Sequence, residues 1–184
     1  MENQVGHMPR GQSVTQIPDA VLGVRKVFTD VNWGSTEAIK PRLTGADVHC
    51  RLVQNTSAGA LLPGQAVVWK TGFFLTQIGA TAGSLSLAAG IVDEYLPAAG
   101  VPINSYFWLV VEGPTLVIND GVGVLAEGAI LVCSATAGQV LAQTAAPGQG
   151  SELAQVNGVI GFTLASITNV AATKGRAVVK LAAR

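Results

Sequence analysis

Ser105-Tyr-Phe-Trp-Leu-Val-Val-Glu112, followed at once by Gly113-Pro114 and Thr115-Leu-Val-Ile118, is a run of aromatic and β-branched residues with helix breakers in its middle. Such residues suit a pleated surface, whereas an interior Gly costs a helix about 1 kcal/mol and a Pro about 3. The same grammar continues outward. Ala129-Ile-Leu-Val-Cys133 lies between Gly128 and Gly138, and from Gly59 to Gly175 the longest stretch free of both breakers is Phe162–Lys174. A helix needs about 10–12 uninterrupted residues. The expectation is therefore an all-β fold, a compact β-barrel or β-sandwich. A helix has room only around Leu164–Lys174, where β-branched residues weigh against it.

The pattern predicts strands at Asp47–Val53, Gln65–Lys70, Phe73–Gln77, Ser84–Ala88, Ile91–Tyr95, Ser105–Glu112, Thr115–Ile118, Ala129–Cys133, Gln139–Gln143, Gly158–Leu164 and Arg176–Leu181. Turn signals separate them: Pro63-Gly64, Gly113-Pro114, Asn119-Asp120-Gly121, Ala137-Gly138, Pro147-Gly148 and Asn157-Gly158. Two echoes occur. Ala-Thr-Ala-Gly stands at 80–83 and 135–138, and Leu62–Trp69 is faintly repeated by Ala126–Cys133. Their offsets differ, 55 against 64 residues, so they read as turn chemistry recurring in similar hairpins and not as one structural period.

Residues 1–44 differ from the body at 45–184. They hold many long polar side chains and only sparse apolar anchors, and they read as an extended N-terminal arm. Within them the alternation of Val27, Thr29, Val31 and Trp33 suits one extended segment on a sheet edge. An ordinary first strand behind a leader fits the same residues.

Charged residues are 12% of the chain, about half the usual globular share, which leaves a surface of small, polar and aliphatic side chains suited to being covered by partners. The net charge is zero but uneven. Residues 71–173 carry no Lys or Arg and six acids, and residues 174–184 carry four basic side chains. Nucleic-acid binding rests on a basic footprint that releases phosphate counterions, so an acidic body argues against such a partner. No apolar run approaches the ~18 residues of a membrane span, and Met1–Gly6 lacks the basic-then-apolar layout of a secretory signal.

Candidate chemistry is thin. Cys50 and Cys133 are far apart, sit in apolar patterns, and read as small buried hydrophobes. His49 alternates with Val48 and Cys50, so it cannot share a face with that thiol. Asp93-Glu94 and Asp120 are the nearest thing to paired carboxylates; strand neighbours diverge, and Asn-Asp-Gly is what a turn demands. Gly121-Val-Gly-Val-Leu-Ala126 fits a loose dinucleotide pattern, yet an apolar strand follows where a helix would have to begin. Asn55-Thr56-Ser57 matches a glycosylation acceptor and reads as a loop. No enzyme, cofactor or metal site is expected. Tyr106-Phe107-Trp108 presents aromatics to both faces of its strand, to be covered by a subunit interface or by a second layer of the same chain.

The order of Val101–Pro114, Ala126–Val140, Val159-Ile-Gly-Phe162 and Gly175–Leu181 resembles the decoration (cement) proteins of tailed-bacteriophage heads. That resemblance implies a β-rich homotrimer on the outside of an expanded shell, made in the host cytoplasm, bridging neighbouring major capsid proteins. The function expected is thus that of a structural virion protein. The alternative is a β-sandwich module binding a glycan or small ligand on a fibre or cell surface. Within the arm, Arg25, Lys26, Phe28 and Trp33 are the expected partner contacts, being charged or bulky and outside any evident core.

Overall fold

The computed structural model describes residues 8, 11–15, 22–31, 43–70, 77–80, 87–143 and 159–181. Among them run eleven strands: β1 (Ser13–Val14), β2 (Arg25–Val31), β3 (Leu43–Asn55), β4 (Ala66–Trp69), β5 (Gln77–Ala80), β6 (Ala88–Val92), β7 (Tyr106–Ile118), β8 (Ile130–Cys133), β9 (Val140–Ala142), β10 (Val159–Thr163) and β11 (Lys174–Lys180). The fold is all-β, and the strands join one connected sheet in the order β2-β3-β5-β4-β6-β7-β11-β10-β8-β9, with β1 on β7 and a further ladder between β3 and β7.

Two expectations change, while the reading against a helix holds. Gly113-Pro114 is no turn: β7 runs straight through it, with Pro114 opposite Val178 of β11. Gly113, at φ +107°, bends the strand where Glu112 ends its ladder with β3 and begins the one with β11. A side chain there would strike the Asp47 carbonyl, so only Gly can take this place. The helix considered at Leu164–Lys174 is absent; Ile167 instead bridges to Leu125, and Ala172 turns the chain at φ +62°. Of the expected strands Phe73–Gln77 and Ser84–Ala88, most lies outside the described residues.

The second change concerns repetition. β3 to β7 pair as β3–β5 (parallel), β5–β4, β4–β6, β6–β7 and β7–β3. β7 to β11 then pair in the same scheme: β7–β9 through a parallel bridge at Asn119 and Val140, then β9–β8, β8–β10, β10–β11 and β11–β7. Registers correspond. Gln54 opposite Tyr106 is matched by Ile118 opposite Lys174, and Ala66 opposite Ile91 by Ile130 opposite Phe162. Each unit has one irregularity in the corresponding ladder, beside Gly90 and beside Gly161. There a Cβ would meet the carbonyl oxygen of Val110 or of Val178, so the close backbone approach demands Gly in both. The echo of Leu62–Trp69 in Ala126–Cys133 is thus the trace of a five-strand unit built twice, with β7 serving in both.

Asn55 and Asn119 close these units alike. The Asn55 amide donates to the carbonyls of Gly59 (3.0 Å), Val101 (2.9 Å) and Pro102 (3.2 Å), and that of Asn119 to Gly123 (3.3 Å) and Thr168 (2.9 Å). Each carboxamide oxygen accepts the N–H two residues on. Both side chains are buried, which makes Asn55 a loop organiser and removes it as a glycan acceptor.

β7 lies at the centre of two cores. Phe107 and Leu109 face a smaller cluster with Val53, Leu61, Val67 and Val92, while Trp108 and Val110 face a larger one with Cys50, Leu52, Ile91, Leu131, Ile160 and Val179. The aromatics on its two faces are thus both covered by the chain itself. Cys50 and Cys133 are free thiols in the larger core, and burial pushes the Cys133 thiol up to about 12.

Candidate interaction surface

Strand β2 closes one end of the sheet path and pairs antiparallel with β3 from Arg25 opposite Arg51 to Val31 opposite Leu43. Among the described residues no strand pairs with its outer edge. The Gly23 N–H donates to the Leu52 carbonyl, and the Leu52 N–H to the Val24 carbonyl. Because hydrogen-bonded positions alternate in an antiparallel ladder, that phase turns the backbone groups of residues 25, 27 and 29 to the open side. Val24 and Val27 are exposed, at 44% and 51%, together with Arg25 and Thr29. The edge therefore offers hydrogen-bonding backbone beside apolar and cationic side chains.

The four expected contact residues separate. Arg25 is exposed and stands opposite buried Arg51, whose guanidinium is pushed down from its ordinary value by burial and then by Arg25. Arg51 also lies 5.6 Å from the Trp69 ring. Phe28 points the other way, against the larger core, and meets Trp108 edge-on at 5.7 Å. Lys26 sits over both rings, 5.0 Å from Phe28 and 5.8 Å from Trp108. The Trp108 indole donates to the Met8 carbonyl at 3.0 Å, and Met8 itself is buried in that core. Lys26 and Phe28 are thus brought together over Trp108, Arg25 faces solvent, and Trp33 lies outside the described residues. Val24 and Val27 were not singled out from sequence, since an isolated valine carries no mark of exposure.

The remaining polar candidates are structural. Glu94 is buried and accepts from the Leu116 N–H (2.9 Å) and from Arg176 (3.4 Å), linking the turn after β6 to β7 and β11. Asp120 accepts from the Val122 N–H within its loop and from the Ser134 hydroxyl just after β8. Asp93 accepts from the Tyr95 N–H. Gly121–Ala126 forms a loop leading to the bridge at Leu125, with no helix after it. Among the described residues no three His, Cys, Asp or Glu side chains converge as metal ligands.

No family model matches the sequence, and no curated protein does either. Among solved structures, the chain is similar to the head fiber gp8.5 N base of bacteriophage phi29, with a TM-score of 0.46 and 10% identity over 73% of this chain and 98% of that one. It is also similar to the capsid of Myoviridae phage XM1, with a TM-score of 0.43 and 14% identity over 83% of this chain and 92% of that one.

Proposed function

We propose that this chain is a structural protein of a tailed-phage head, bound to the outer surface as a homotrimer and bridging neighbouring major capsid subunits. The observation that carries the reading is the outer edge of β2, unpaired among the described residues, where backbone donors and acceptors stand beside exposed Val24, Arg25 and Val27. An edge of this kind takes up a strand from a partner, main-chain bonds giving affinity and side chains giving choice. The sequence resemblance of the segments from Val101 to Leu181 to decoration proteins supports the same reading. In it, residues 1–44 act as the arm: Arg25 and Lys26 meet the shell, Trp33 extends the contact, and Phe28 anchors the strand on Trp108.

The test is co-sedimentation of the purified protein with expanded heads, alongside the temperature at which those heads rupture. Wild-type protein is expected to sediment with the heads and to raise the rupture temperature. Arg25→Glu combined with Lys26→Glu is expected to weaken binding at least tenfold, because many equivalent weak contacts add up on a lattice. Wild-type protein that stays in the supernatant overturns the reading.

A further inference from the structure

The two units differ in one respect that their common plan makes visible. In the first, the cross-strand row Ala66–Ile91–Val110 is fully buried within the larger core. The corresponding row in the second is Ile130–Phe162–Val178, and there Ile130 is 50% and Phe162 38% exposed, with Val178 half-buried. Leu164, beside Arg176 and on the same face, is 41% exposed. The same row thus carries apolar side chains in both units, sealed once and open once. Soluble surfaces seldom hold such a row without something to cover it.

The charge around the row indicates what that something is. On β11, Lys174, Arg176 and Lys180 share the face of Val178, since alternate residues of a strand point the same way and Ala177 and Val179 point into the core. Lys174 and Lys180 are exposed, Lys180 stands opposite exposed Glu112 of β7, and Arg176 leans on Glu94. Pairing this face with itself about a two-fold axis would oppose cationic strand to cationic strand. An apolar row beside two lysines fits a protein surface that brings aliphatic or aromatic side chains together with carboxylates.

We propose that the outer face of β8, β10 and β11, centred on Ile130, Phe162 and Val178, docks an acidic, apolar-bearing segment of the shell protein. The identity of the partner rests on the head-binding reading above. With β2 at one end of the sheet path and β8 near the other, the chain then has two separate surfaces with which to hold two subunits.

The experiment places p-benzoylphenylalanine at position 162 of the full chain, binds it to expanded heads, irradiates, and maps the adducts by mass spectrometry. In parallel, the Ile130→Ser/Phe162→Ser variant is checked for folding by its thermal midpoint and then sedimented with heads. The expected results are a cross-link to a carboxylate-rich segment of the shell protein, and at least a tenfold loss of binding by a variant that melts within a few degrees of wild type. Cross-linking to a second copy of this chain, or undiminished binding by the variant, overturns the docking face while head binding by the wild type stands. Wild-type protein that does not sediment overturns the head-binding reading and, with it, the shell as occupant. Should the double variant not fold, Phe162→Lys alone is used, with the same outcomes deciding.

Discussion

At residue scale, tight backbone contacts make firm demands. Gly161→Ala and Gly90→Ala each push a methyl group into a neighbouring strand's carbonyl, and each is expected to lower stability by about 3 kcal/mol in urea unfolding, the range of a strained or overpacked core site. Asn119→Ala removes the side-chain donor to the Gly123 and Thr168 carbonyls, the second of which keeps the Val170 N–H; the expected cost is about 2 kcal/mol, and Asn55→Ala should match or exceed it. The Cys133 thiol gives a pH signature. Its pKa rises from 9.0 unfolded to about 12 folded because burial disfavours the thiolate, so between those values the unfolded chain has released a proton that the folded chain retains. Stability is full below pH 9 and is lost as pH rises toward 12. Cys133→Ala should flatten that part of the stability–pH curve relative to wild type, as read from denaturant midpoints at stepped pH.

At the scale of strands, legibility divides cleanly. Gly and Pro punctuation located most strands because each break is a local event. Gly113-Pro114 misled for the same reason: whether a Gly bends a strand or ends it depends on β3 and β11 lying alongside. The facing of Phe28 was illegible too, since β2 carries apolar side chains on both sides and local alternation does not say which side meets Trp108. Glu94 shows what a distant partner adds. It joins three elements through the Leu116 N–H and Arg176, which is 82 residues away, and no spacing in the sequence marks the pair. Glu94→Ala is expected to cost about 2 kcal/mol, a hydrogen bond to a charged group with the Arg176 share reduced by water, measured by urea unfolding.

At the scale of the whole molecule, the doubled plan escaped the sequence because few positions keep their residue: Asn55 and Asn119, Gly59 and Gly123, Leu61 and Leu125, and Gly64 and Gly128 in turns and bridges, and Leu52 and Leu116, Val53 and Val117, Val68 and Val132, and Val110 and Val178 on strands. The turn and bridge positions are those where backbone geometry leaves little choice, while most strand positions exchange one apolar residue for another. All-β character and an edge segment through Val27, Thr29 and Val31 were legible; the open row on β8, β10 and β11 was not, because exposure becomes informative only once its sealed counterpart is known. β7 supplies a strand to each unit, so losing either one strips the other of its longest ladder. Calorimetry should accordingly record a single endotherm for the body, its measured heat equal to the van't Hoff value, and two resolved endotherms would mean that the halves melt on their own.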